Sequence, residues 1–184
     1  VPTADRAAVG AMLSGAHGPT DVVVPRGRRS LVERVQTEAR VPVIGHLEGL
    51  CHTYVDAYAD DTTAPQLTAN AKMRRPGGCG GAAPLLIQIA RAEHFVPLVV
   101  NALVDAGCTI RADAAARTLQ DGLEAATDDD WKTEYLAPII SLAVVDGVEG
   151  AIAHIREHGS GHTESILTQN ETTAAYFLTQ VDSA

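Results

Sequence analysis

The sequence predicts an α/β fold with a largely parallel sheet, and two observations carry that prediction. Short β-branched or aliphatic runs alternate with helix-length amphipathic stretches, the order from which parallel β-α-β units are built. The 184 residues are 46% hydrophobic but only 4% aromatic, so aliphatic runs rather than aromatic clusters must fill the core.

Taken in order, residues 21–25 (Asp-Val-Val-Val-Pro) read as a buried strand, followed by a helix over 29–39 with Leu31, Val32 and Val35 on one face. A second strand is expected at 41–44 and a third at 53–56 (Thr-Tyr-Val-Asp). Residues 62–73 predict a helix with Pro65 in its first turn, where a missing N–H is tolerated. A strand at 85–89 leads to a helix over 94–106 that Gly107 stops. A strand at 139–145 precedes a helix over 148–158 ended by Gly159. A strand at 163–167 and a helix at 171–181 complete the pattern. The polar stretch 112–132, with Asp128, Asp129 and Asp130 in a row, is expected to be an exposed, solvated loop.

A formal net charge of -9, with no basic stripe interleaved with aromatics, argues against a nucleic-acid partner. No apolar run reaches membrane-spanning length and the N-terminus lacks signal-peptide order. A cytoplasmic protein without a membrane partner is the expectation. Cys51, Cys79 and Cys108 are odd in number and widely spaced, with no Cys-x-x-Cys pair, so neither a disulfide framework nor a cysteine zinc site is expected.

Cys79 is the leading candidate for chemistry. Gly77, Gly78, Gly80 and Gly81 surround it, which would let the backbone approach a substrate and adopt conformations barred to other residues. Lys72, Arg74 and Arg75 just upstream are cations of the kind that favour a thiolate. Its N–H, on a glycine-rich turn, is a candidate donor to a developing oxyanion. On these local features alone, a nucleophile and a small residue in a tight turn both remain open.

Residues 22–30 (Val-Val-Val-Pro-Arg-Gly-Arg-Arg-Ser) pass from a strand through a turn to a helix start, the arrangement by which α/β proteins hold phosphate. Arg26, Arg28 and Arg29 add charge, and Ser30 is placed either to cap the helix or to donate to phosphate. An exposed basic helix start is the other reading of that segment. Residues 46–52, which include His46, Cys51 and His52, fit no standard zinc spacing and read as a cleft-lining turn. His154 and His158 share a helix face, but Gly159 and Gly161 break the helix before His162, so no metal site is expected.

Six ordered segments carry a resemblance: Asp-Arg-Ala-Ala-Val-Gly (5–10), Val-Pro-Arg-Gly (24–27), residues 41–56, Asn-Ala-Lys-Met-Arg-Arg (70–75), Thr-Glu-Tyr-Leu (133–136) and residues 145–155. Together they resemble the γ-glutamyl phosphate reductase (glutamate-5-semialdehyde dehydrogenase) branch of the aldehyde dehydrogenase superfamily, almost end to end. The resemblance implies a three-layer aldehyde-dehydrogenase-like catalytic domain at 61–184, preceded at 1–60 by the last strand-helix units of the cofactor domain. It implies that the family's N-terminal half and the segment after Ala184 lie outside this chain.

By the same resemblance, Cys79 matches the catalytic cysteine, and Pro25, Arg26, Gly27 and Ser30 match the cofactor-phosphate turn. His46 falls where hydrolytic relatives carry a water-activating glutamate, and losing that base would protect a thioester from water. Arg74 and Arg75 are expected to steady the departing phosphate, and His162 to help form the substrate pocket. The implied reaction is NADPH-dependent reduction of γ-glutamyl phosphate through a cysteine thioester, on the route to proline, by a homo-oligomer in the full-length protein.

The chain departs from the family at Arg28 (usually Gly), at Ala83-Pro84 (usually Glu-Thr) and at Gly161 (usually His). Arg28, the Ala83-Pro84 pair and the family segments expected to lie outside this chain motivate an alternative of another class: a catalytically silent relative or fragment that binds ligand or partner without turnover. The same mechanism acting on another acyl phosphate or aldehyde is a third reading, because selectivity lies in pocket shape.

Overall fold

The computed structural model describes residues 3, 5, 7–14, 20–27, 29–45 and 47–184, which fall into two compact units, Val1–Glu48 and Gly49–Ala184. The expected boundary at 60/61 lies further along the chain than this division. The reason is hydrogen bonding: the strand at 53–55 is an integral member of the second unit's sheet.

The first unit contains helices α1 (Ala7–Leu13) and α2 (Arg29–Glu38). Val32 and Val35 of α2 are buried, as the helical spacing predicts, and so is Leu13. The two strands expected here are reduced to a single parallel bridge, Val23 with Val43, closed by Val23 N–H to Pro42 O and Ile44 N–H to Val23 O, both 3.0 Å. Neither run is buried: Val22, Val24 and Ile44 are exposed. A strand forms by pairing along its length, and within this unit these runs have only each other.

The second unit holds six strands: β1 (Thr53–Val55), β2 (Pro84–Gln88), β3 (Thr109–Ala112), β4 (Glu124–Ala125), β5 (Ile139–Val145) and β6 (Ser165–Leu167). They form one sheet in the order β4-β3-β5-β2-β1-β6, and every pairing is parallel. The connections carry α3 (Thr63–Met73), α4 (Ala92–Asp105), α5 (Ala114–Leu119) and α6 (Gly147–His158), and α7 (Glu171–Gln180) follows β6. Strand alternation sorts the core onto two faces. Val55, Leu85, Ile87, Ile140 and Leu142 join Phe95, Val96 and Val99 of α4 on one. Tyr54, Leu86, Ala143 and Val145 join Ile152 and Ile155 of α6 and Phe177 of α7 on the other. The result is the expected three-layer arrangement.

Gly107 ends α4 as predicted. Its φ of +84° allows the paired closing bonds Gly107 N–H to Val104 O (2.8 Å) and Cys108 N–H to Leu103 O (2.9 Å).

Residues 112–132 are not the solvated loop expected from their polarity. They include the end of β3, α5, β4 and a 3-10 turn over Asp128–Lys132, and Asp130 is only 3% exposed. Its carboxylate accepts from Arg111 Nη1 (2.7 Å), Thr127 N–H (2.7 Å), Thr127 Oγ1 (2.8 Å) and the Tyr135 hydroxyl. Burial alone would raise this carboxyl's pKa, but the bonds from Tyr135, Thr127 and Arg111 outweigh it and hold the group well below the usual carboxylate range. An acidic run is therefore a solvated face only where no cation and hydroxyl reach back to it.

Candidate active site

The segments that precede β1, β2 and β6 meet at the amino-terminal edge of the sheet, where side chains and backbone interlock. Open α/β sheets more often bind ligands outside the carboxyl ends of their strands.

Cys79 sits in the connection from α3 to β2. Two successive turns, Gly78 N–H to Arg75 O and Gly81 N–H to Gly78 O (both 3.0 Å), fold that connection back, and Ala82 N–H bonds Ala71 O at 3.1 Å. Cys79 lies between the turns with its side chain exposed. Its N–H has no acceptor among the described residues, which leaves it available to a ligand.

The glycines around it serve differently from the expectation. None of Gly77, Gly78, Gly80 and Gly81 has a left-handed backbone, and a Cβ on Gly80 would meet nothing within 4 Å. The close approach is made by Gly49, where a Cβ would stand 2.6 Å from Cys79 O, 3.1 Å from Cys79 Cβ and 3.1 Å from Glu134 Oε1. Only a residue without a side chain lets residues 49–52 lie against the cysteine turn.

Cys51 is buried there, and its S–H donates to Cys79 O at 3.2 Å. His162 Nδ1 is 3.5 Å from the same sulfur and 2.9 Å from Thr163 Oγ1. Burial, and next the charge of Glu164, push the Cys51 thiol up to about 11, so at neutral pH it is an S–H donor.

The loop that carries His162 is tied to residues 50–52 by its own side chains. Glu164 Oε2 accepts from the His52 N–H (2.7 Å) and faces His52 Nδ1 at 2.9 Å. Ser160 Oγ accepts from Leu50 N–H (3.0 Å), and Ser165 Oγ donates to His52 O (3.1 Å). His52 and Glu164 have side chains 0% and 1% exposed, so this hydrogen-bonded pair is held away from water.

The cations near Cys79 divide. Arg74 and Arg75 are exposed at the start of the turn and have no carboxylate partner among the described residues. Lys72 does not share that surface: it is 1% exposed, with Nζ 6.0 Å from the Tyr135 ring centroid. Burial lowers its pKa, against the opposing pull of Cys108 and Glu134. Leu136, in the same segment as Glu134 and Tyr135, takes a left-handed backbone with φ of 50°, an uncommon state for a branched residue.

The phosphate-turn candidates lie in the first unit. Arg26 and Gly27 are exposed and Pro25 is half-buried. Ser30 is exposed inside the first turn of α2 rather than at its cap, and its hydroxyl has no partner among the described residues. Arg29 is already spoken for, bonding Glu33 at 2.7 Å and Glu48. His46 and Arg28 lie outside the described residues. His154 and His158 meet edge-on in the second unit, ring centroids 4.6 Å apart, with Trp131 and His52 against His154. Among the described residues, no group of three or more His, Cys, Asp or Glu is disposed to hold a metal ion. No described helix is long and apolar enough to cross a membrane.

Sequence reasoning singled out Cys79 and His162 and read 46–52 as a cleft-lining turn, but it gave no individual role to Gly49, Cys51, Glu134 or Glu164. Gly49 and Cys51 lie in the 41–56 segment and Glu134 in Thr-Glu-Tyr-Leu, both among the family-like segments, so the available signal was that recurrence.

No protein-family model matches the chain. Its whole length is 55% identical to part of a γ-glutamyl phosphate reductase of Hyphomonas neptunium, and spans 43% of that relative's length. The crystal structure of the Thermotoga maritima γ-glutamyl phosphate reductase superimposes on all of the chain with a TM-score of 0.91 at 38% identity, over 44% of its own length. An acetylating aldehyde dehydrogenase of Geobacillus thermoglucosidasius shares the fold, with a TM-score of 0.70 at 20% identity over 97% of this chain and 48% of its own. The parallel sheet and its two helical layers define an aldehyde-dehydrogenase-like α/β fold. Within that class, the chain is similar over its whole length to γ-glutamyl phosphate reductases, and it spans less than half of the length of the relatives it matches.

Proposed function

We propose that the chain carries the catalytic cysteine of an NADPH-dependent reductase that converts γ-glutamyl phosphate to glutamate-5-semialdehyde and phosphate. The observation that carries this reading is Cys79, exposed between two turns with its own N–H unbonded, in a chain so similar to γ-glutamyl phosphate reductases. The Cys79 thiolate forms a bond to the acyl carbon while the Cys79 N–H is placed to meet the developing oxyanion. The acyl–oxygen bond breaks and phosphate leaves, steadied by the exposed Arg74 and Arg75, and a thioester remains.

NADPH, when bound, supplies the hydride that reduces the thioester. Pro25, Arg26, Gly27 and Ser30 would hold its phosphate, for which an exposed cation, a free hydroxyl and the first turn of a helix are suitable chemistry. The Cys79 thiolate then departs and releases the aldehyde. His162 lines the substrate side and His46 keeps the position free of a water-activating carboxylate. We assign the first unit to the end of the cofactor domain and the second to the catalytic domain, with the boundary before β1 rather than at 60/61 because β1 pairs into the second unit's sheet. The product enters amino-acid biosynthesis on the route to proline, in the cytoplasm, in a homo-oligomeric full-length protein.

The test is NADP+ reduction with glutamate-5-semialdehyde and phosphate by the full-length gene product, beside its Cys79→Ala variant. Loss of the nucleophile is expected to lower kcat about a thousandfold or more. Undiminished activity in the variant would sink the mechanism. An inactive wild-type protein would favour a silent relative that binds without turnover.

A further inference from the structure

Cys79 has a second thiol against it that the mechanism above does not use. We propose that Cys51 is a positioning residue: its S–H holds the carbonyl of Cys79, and so sets the direction in which the nucleophile's sulfur and free N–H face an acyl substrate. The inference rests on the reading of Cys79 as the nucleophile.

The two turns bond the peptide groups on either side of Cys79, through Gly78 N–H and Gly81 N–H, but leave its own carbonyl to other partners. Among the described residues, the hydrogen bond to that carbonyl comes from Cys51 alone, at 3.2 Å. The Gly49 backbone closes on the same oxygen, leaving no room for a Cβ. The carbonyl is therefore wedged between a glycine and a thiol, while the N–H of the same residue stays unbonded.

Cys51 has one hydrogen, and Cys79 O is the nearest acceptor to it; Gly49 O is at 3.6 Å and His162 Nδ1 at 3.5 Å, and the Thr163 hydroxyl also reaches the sulfur. His162 Nδ1 has Thr163 Oγ1 at 2.9 Å, a better partner than sulfur. The thiol stays protonated because it is buried, and Ala83 N–H fastens its backbone carbonyl at 3.0 Å. The donor is thus fixed on Ala83, just before β2, through one bond and on the cysteine turn through the other. Small displacements of an attacking group are costly, because bond formation needs reacting atoms at near-contact distance and in line.

The test compares Cys51→Ala, which removes the donor, with Cys51→Ser, which keeps one, in the full-length gene product. Cys51→Ala should lower kcat about tenfold with KM within about twofold, and Cys51→Ser should recover to within about threefold of wild type. Alkylation of Cys79 by iodoacetamide should follow the same order. Wild-type kcat in Cys51→Ala, or equal loss in both variants, overturns the proposal.

Should neither variant fold, the S–H stretching band of Cys51, read in a Cys108→Ala background, decides the matter. A hydrogen-bonded band that moves when Cys79 is alkylated supports the contact, and a free S–H frequency overturns it. Cys79→Ala separates the two readings: full activity in that variant fails the proposed function itself. An inactive Cys79→Ala beside a fully active Cys51→Ala fails the positioning role alone.

Discussion

The two compact units bury their apolar residues in different ways. In Gly49–Ala184, Leu85, Leu86 and Ile87 of β2 are each 0% exposed, because β1 and β5 pair both edges of the strand and helices cover both faces. In Val1–Glu48, Val23 pairs with Val43 alone, while Val22, Val24 and Ile44 are 45%, 61% and 65% exposed. The two runs have similar composition, yet only one lies within a sheet. An apolar run states a demand for burial, and flanking strands decide whether it is met.

The largest expected effect tests that contrast directly. Leu86→Ala should cost about 3 kcal/mol, since it opens a cavity between Tyr54, Ala143 and the α6–α7 layer, whereas Val24→Ala should stay within about 0.5 kcal/mol. Urea unfolding of the two variants measures both, and equal losses would break the comparison.

Next comes Asp130, the acidic residue that packs where solvation was expected. Asp130→Asn should cost about 2 kcal/mol at neutral pH, because a buried acceptor of four hydrogen bonds loses its charge and one of its two acceptor oxygens. Its folded pKa is depressed, so its contribution is complete above the ordinary carboxylate range and fades as pH falls through the folded value. The variant should show a shallower loss of thermal stability below about pH 4 than the wild type.

The smallest effect belongs to His154. Burial, then the neighbouring His52 and His158, push it down to about 3, so it is neutral in the folded protein. The unfolded chain takes up a proton near the ordinary imidazole value, so stability is full above that value and falls as pH drops toward about 3. At pH 5.5 the penalty should be about 1.4 kcal/mol, and His154→Phe should remove it. Melting temperatures at pH 7 and pH 5.5 read the difference, and an unchanged acid slope in the variant would locate the titration elsewhere.

Periodicity was a good guide where elements are long or doubly covered. β1, β2, β5 and β6 and helices α3, α4, α6 and α7 fall within a few residues of the expected positions. β3 was hidden because Arg111 and the exposed Thr109 interrupt its apolar pattern, and β4 because it is two residues long and exposed. α1, rich in Ala and Gly, offers little amphipathic contrast. Of the site, Cys79 was legible from its glycines and neighbours, though those glycines provide no left-handed backbone. Lys72 was grouped with Arg74 and Arg75 by adjacency, yet on a helix adjacent positions point to different faces, and Lys72 is buried.

By itself the sequence determined the α/β class, the likeness to γ-glutamyl phosphate reductases and the identity of the exposed cysteine, because these depend on local periodicity and on ordered segments read along the chain. Only the tertiary structure decided that Cys51 bonds the Cys79 carbonyl, that Gly49 must lack a side chain, and that Glu164 secures His52 across the sheet's amino-terminal edge. Those contacts join residues far apart in sequence, and parallel strands bring their preceding loops together at one edge whatever the distance along the chain.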